Sequence, residues 1–177
     1  MARFIYSPLK SAQKEIRLIS LLPALFDSDI KVEIFYEKLS EQYQPDYEAL
    51  SYVWGSTEDP EILSIAYRNQ HGDRTSPGSV GGSVAASVPE PFSRDTDHPI
   101  YETLSITQNL STALRYLRKP ATNRVVWIDA ICINQDDIQE RSLEVARMGF
   151  IYNKARQVIV WLGPHTENSE LAIETLR

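Results

Sequence analysis

The stretch 125–133, VVWIDAICI, is an apolar run broken by a single charge, Asp129. A run of that length and texture reads as a strand covered on both faces, the usual state of a central strand in a parallel sheet. It commits the chain to layers on either side. An ionised carboxylate in such a strand is costly to desolvate unless a donor or cation meets it. Asp129 therefore serves either as a structural hydrogen-bond acceptor for a neighbouring loop or as a direct ligand or catalytic contact.

The segments around this run alternate between helix and strand. Leu110, Ala113, Leu114 and Leu117 fall at i, i+3, i+4 and i+7, which predicts an amphipathic helix with Asn109 or Ser111 as cap and Pro120 as stop. Asp136 and Asp137 suit the start of a second helix. Its Ile138, Val145, Met148 and Tyr152, with Leu143, Ala146 and Phe150 beside them, form an apolar stripe expected to pack on a sheet. Residues 158–162 form a short apolar strand ended by Gly163-Pro164. Asn168 or Ser169 then caps a last helix containing Leu171, Ala172, Ile173 and Leu176. No stop signal precedes Arg177, which predicts the N-terminal part of a longer protein or a chain cut within one. This alternation implies parallel strands joined by right-handed crossovers, with helices on both faces. A ligand then sits beyond the C-terminal strand ends, here Trp54-Gly55, Ile133-Asn134-Gln135 and Leu162-Gly163-Pro164.

The first half of the chain is richer in strand. Residues 16–22 and 31–39, separated by the turn-forming Asp27-Ser28-Asp29, predict an antiparallel pair, and 47–55 a strand closed by Gly55. Residues 62–67 and 101–106 read as a hairpin whose turn is overgrown by 69–99, a Gly-, Pro- and Ser-rich segment predicted to be a flexible insertion. Both flanks share one core, so 1–177 is a single domain.

Composition removes several function classes. Eighteen Lys and Arg against 24 Asp and Glu leave a charge of −6, so no global basic field favours nucleic acid. A membrane span and a secretory signal are disfavoured, which makes cytoplasmic the expected location. The single cysteine excludes an internal disulfide. No phosphate-binding glycine loop, His-Glu-x-x-His or Cys-x-x-Cys occurs, and neither a cofactor nor a metal is expected. Three kinds of chemistry remain: Cys132 with His165 as base, a carboxylate at Glu170 or Glu174 on the last helix, and stacking of a planar ligand on Trp54.

Five blocks together resemble the fungal heterokaryon incompatibility (HET) domain: 47–55 (YEALSYVWG), 109–117 (NLSTALRYL), 127–135 (WIDAICINQ), Glu140-Arg141, and 148–163 (MGFIYNKARQVIVWLG). They occur in the family's order, and Ile16-Arg17-Leu18 resembles its opening strand. The insertion at 69–99 departs from the compact form of the family.

The resemblance implies a self/non-self recognition module that triggers growth arrest or programmed cell death when incompatible fungal cells fuse. Its expected partners are further copies of itself and C-terminal sensor or oligomerisation regions. HET domains are also distantly similar to TIR domains, which implies a three-layer, mostly parallel flavodoxin-like α/β sheet. Here it carries an added N-terminal antiparallel pair and the long-turned hairpin. Some TIR domains cleave the nicotinamide–ribose bond of NAD⁺, which makes NAD⁺ the implied substrate. Carried over, the catalytic carboxylate is Glu174, with Glu170 as the alternative. The ligand-binding set is Ser51, Tyr52, Trp54, Gly55, Asp129, Asn134 and Gln135. A non-catalytic module acting by homotypic assembly is the rival reading.

Overall fold

The computed structural model describes residues 2–10, 14–68 and 100–164. The insertion at 69–99, the last helix with Glu170 and Glu174, and His165 lie outside the described residues.

Seven strands form one sheet: β1 (Glu15–Leu21), β2 (Lys31–Lys38), β3 (Glu48–Tyr52), β4 (Glu61–Tyr67), β5 (Glu102–Ile106), β6 (Arg124–Trp127) and β7 (Gln157–Trp161). Three helices accompany them: α1 (Gln108–Leu117), α2 (Asp129–Cys132) and α3 (Ile138–Lys154). The strand order is β5-β4-β2-β1-β6-β3-β7. The expected N-terminal antiparallel pair is β1 with β2, and the expected hairpin is β4 with β5.

The expectation of a mostly parallel sheet is corrected. β3 runs parallel to both β6 and β7, and β2 parallel to β4, but β1 is antiparallel to both of its neighbours. The sheet is mixed because β1 is its middle strand rather than an edge addition. The reason lies in its sequence. Ile16 and Leu18 line one face, Ile19 and Leu21 the other, and all four are 0–1% exposed. A strand apolar on both faces is driven to the centre.

A second correction concerns the run 125–133. Only its first part is strand. The chain leaves the sheet after Trp127, and Cys132 N donates to Ile128 O at 2.7 Å to close the α2 turn. Ile128, Ile131 and Cys132 stand at helical spacing and all are buried. That spacing buries them as fully as a strand would, which is why apolarity alone could not separate the two.

The cap of α1 is Thr107, whose side chain accepts from Leu110 N, rather than Asn109 or Ser111. Leu110, Ala113, Leu114 and Leu117 are buried as the spacing requires. Asp137 caps α3 by accepting from Gln139 N and Glu140 N. The α3 stripe is only partly covered. Met148, Phe150 and Tyr152 pack against the core, whereas Ile138, Leu143 and Val145 are exposed, and the fully buried Ile151 lies outside the expected stripe.

Candidate functional site

Of the three strand ends expected at one rim, those of β3 and β6 meet directly, and that of β7 joins them through α1. Two hydrogen-bonded links join them. In the first, Trp54 Nε1 donates to Asp129 Oδ2 at 2.9 Å, tying the loop after β3 to the turn after β6. In the second, Asn109 Nδ2 donates to Val53 O, while Asn109 Oδ1 accepts from Trp161 Nε1 at 2.9 Å. The first turn of α1 thus ties the end of β3 to the end of β7. Gly55 lies at φ +79°, a conformation that disfavours any side chain, and a Cβ there would meet Asn109 Cβ at 3.3 Å. Its glycine permits both the turn and the close approach of α1.

Above these links lies a cleft of about 320 Å³, within the range of small-molecule sites. Tyr52, Trp54, Pro60, Ile106, Ala130 and Gln135 are among its walls. Of the sequence-designated ligand residues, Tyr52, Trp54 and Gln135 line it, and Asp129 stands behind Trp54. Asn134 lines an adjoining cavity. Ser51, registered with Val160, points to the opposite face of β3 from Tyr52 and does not line the cleft.

Asp129 is held from several sides. Its Oδ1 accepts from Ala130 N at 2.7 Å, and its carbonyl oxygen accepts from Gln135 Nε2 at 2.9 Å. Burial pushes the carboxyl above its ordinary range, against the opposing pull of the Trp54 and Ala130 donors. The same burial, with Asp129 nearby, raises the Tyr52 phenol. The cleft is therefore walled by aromatic side chains, with the poorly solvated Asp129 carboxyl hydrogen-bonded to the Trp54 indole from outside the lining, an arrangement suited to a planar group.

Two residues that the sequence offers only as parts of family-like blocks, with no role attached, fix the loop 132–135. Arg17 is 0% exposed, although it stands on the central strand. Its guanidinium forms a two-pronged ion pair with Glu140, the second contact at 2.9 Å, and donates to Cys132 O at 3.1 Å and Ser7 O at 2.6 Å. Tyr6 and Tyr36 lie against it. Burial alone would lower the Arg17 guanidinium, and the Glu140 carboxylate more than reverses this. Glu140 Oε1 also accepts from Asn134 N at 2.7 Å. A strand residue, a helix residue and the cleft loop are thus one unit. The available signals were Arg17 inside an apolar strand and Glu140 one turn into a helix.

Cys132 is fully buried, its thiol is pushed up to about 12 by that burial, and Ile128 N donates to its Sγ at 3.4 Å. An activated nucleophile needs the opposite environment, so the cysteine-hydrolase expectation is not supported. Among the described residues, no group of three or more His, Cys, Asp and Glu side chains could hold a metal ion. Among those residues also, no helix is long and apolar enough to cross a membrane.

Comparison with known proteins agrees with the blocks that organise this rim. The chain is 34% identical over 174 residues to Heterokaryon incompatibility protein 6, OR allele, of Neurospora crassa, a match covering 95% of this chain and 22% of that relative. It thus spans about a fifth of the relative's length. No solved structure matches the chain. Residues 47–177 match the family described as Heterokaryon incompatibility protein (HET), and they include β3, the cleft loop and β7. The chain belongs to the heterokaryon incompatibility family.

Proposed function

We propose that this domain is a cytoplasmic cell-death effector of heterokaryon incompatibility and acts, when brought together with further copies, by cleaving the nicotinamide–ribose bond of NAD⁺. The observation that carries this reading is the aromatic cleft at the C-terminal ends of the parallel strands β3 and β6, with Asp129 behind Trp54. The parallel β6-β3-β7 sector is the part of the sheet on which the TIR-like assignment rests. A nicotinamide ring in the dinucleotide is cationic and flat, and Trp54, held in place by Asp129, offers it a π-face. Gln135 supplies an amide to the ring substituent.

The chemistry is hydrolysis through an oxocarbenium-like ribose. The bond between ribose C1′ and the ring nitrogen breaks, nicotinamide leaves as a neutral molecule, and water adds at C1′ with release of a proton. A carboxylate stabilises the developing positive charge and holds the ribose hydroxyls, as in glycosidases. We assign that role to Glu174, with Glu170 as the alternative. Nicotinamide release by the forced oligomer, lost in Glu174→Ala with folding and assembly unchanged, is the expected result. No release under conditions where a control enzyme works overturns the catalytic reading.

A specific observation favours the rival, a module acting by homotypic assembly alone. Among the described residues β7 is the end strand of the sheet, and its Val158 and Val160, on one face, are 46% and 61% exposed. Cell death that survives Glu174→Ala but not Val160→Asp selects this second reading.

A further inference from the structure

We infer that the aromatic cleft is one lobe of a longer groove whose second lobe takes the sugar–phosphate arm of the same ligand. This rests on the nicotinamide nucleotide reading above and deepens it. The second lobe is a cavity of about 680 Å³ between the N-terminal segment, β5 and the turn before α3. It shares Ser105, Ala130 and Gln135 with the aromatic lobe, so these residues form a common sill.

The two lobes differ in chemistry. The first has rings and hydroxyls but no charged group in its lining, whereas the second sets charged groups beside its own apolar side at Phe4, Tyr6 and Leu104. Arg3, Thr103, Asn134 and Asp136 border the second. Hydroxyl, amide and carboxylate groups suit a ribose diol, and a guanidinium suits a phosphate. Arg3 Nη2 lies 2.7 Å from Asp136 Oδ2, and the two side chains are 79% and 80% exposed. A pair this exposed is held weakly. It can open at little cost, the guanidinium turning to the phosphate and the carboxylate to the diol.

Both residues are carried on anchored backbone. Phe4 N donates to Thr103 O at 2.9 Å and Thr103 N to Ala2 O at 2.8 Å, which pins the segment bearing Arg3 to β5. Asp136 N donates to Asn134 Oδ1 at 3.3 Å, and Asn134 is itself held by Glu140 and hence by buried Arg17. The segments that carry Arg3 and Asp136 are therefore tied to the sheet, one through β5 and the other through Glu140 and Arg17 on β1.

Calorimetric titration with nicotinamide, nicotinamide riboside and nicotinamide mononucleotide tests this in sequence. Each added group is expected to tighten binding, with the phosphate contributing roughly tenfold at low salt and less at high salt. Arg3→Ala removes the phosphate step and leaves the riboside unaffected, and thermal unfolding verifies that the variant is folded. A mononucleotide no tighter than the riboside overturns the inference, as does a phosphate step that survives Arg3→Ala. In either case nicotinamide release from NAD⁺ leaves the functional reading standing. Failure of all three ligands and of NAD⁺ turnover rejects both.

Discussion

The indole of Trp54 and the carboxylate of Asp129, 75 residues apart in sequence, meet at 2.9 Å across the ends of β3 and β6. One hydrogen bond thereby connects a strand-end aromatic of the cleft to a poorly solvated acid beside it. The aromatic wall is oriented by the charge behind it, and the charge is tolerated because of that donor.

Trp54→Phe keeps the ring and deletes the N–H. Asp129 then loses its side-chain donor, and its carboxyl rises further. Because Trp54 is partly exposed and water can take the place of the donor, the loss of stability is modest, about 1 kcal/mol. Urea denaturation measures it. Trp54→Ala should weaken binding of a planar cationic ligand more than Trp54→Phe does.

The raised Asp129 carboxyl fixes a sign for pH dependence. Folding favours its protonated form relative to the unfolded chain. Its contribution to stability is complete below the unfolded value of about 3.9 and is lost as pH rises through the higher native value. Asp129→Asn abolishes that dependence. Between about pH 3 and 7 the difference in unfolding free energy should shift in the variant's favour. Urea titrations at a series of pH values check it, and a shift in the opposite direction contradicts it.

The Arg17–Glu140 pair predicts a pattern across variants. Arg17→Met strands Glu140 and should cost about 3–5 kcal/mol, whereas the double variant Arg17→Met, Glu140→Leu recovers part of that loss. The double variant still lacks the acceptor for Asn134 N. Its amide should therefore exchange faster with solvent although global stability is partly restored, which hydrogen exchange resolves residue by residue.

Cys132 should resist thiol reagents in the folded protein and react once denaturant opens the core. Its burial and raised thiol both demand this. Cys132→Ala should cost about 1–2 kcal/mol and leave nicotinamide release unchanged.

Much of this arrangement was legible from local pattern. The spacing of Leu110, Leu114 and Leu117 placed α1, Asp137 marked the start of α3, and alternating segments gave the β4–β5 hairpin despite the long turn between them. Proximity of the loop at Gly55 to Asp129 followed from the rule for parallel strand ends, and the end of β7 reaches them through Trp161 and Asn109. What pattern could not supply was order across the sheet. Leu18 and Ile19 make β1 apolar on both faces, but nothing local states that β6 will pair beside it antiparallel. The helical turn at Asp129 was hidden because Ile128, Ile131 and Cys132 satisfy burial in either conformation. The role of Arg17 was not legible for a related reason. Its burial depends on Glu140, Ser7 and Cys132, groups that only the tertiary fold brings within reach.

The cleft lined by Trp54 and Gln135 receives the ligand, and side-chain nitrogen resonances report on it directly. On adding NAD⁺ to ¹⁵N-labelled protein, the Trp54 indole and Gln135 amide signals should shift together and saturate, while the buried Trp127 indole stays in place. Saturable binding that leaves Trp54 and Gln135 unmoved, or no binding at all, would contradict the account.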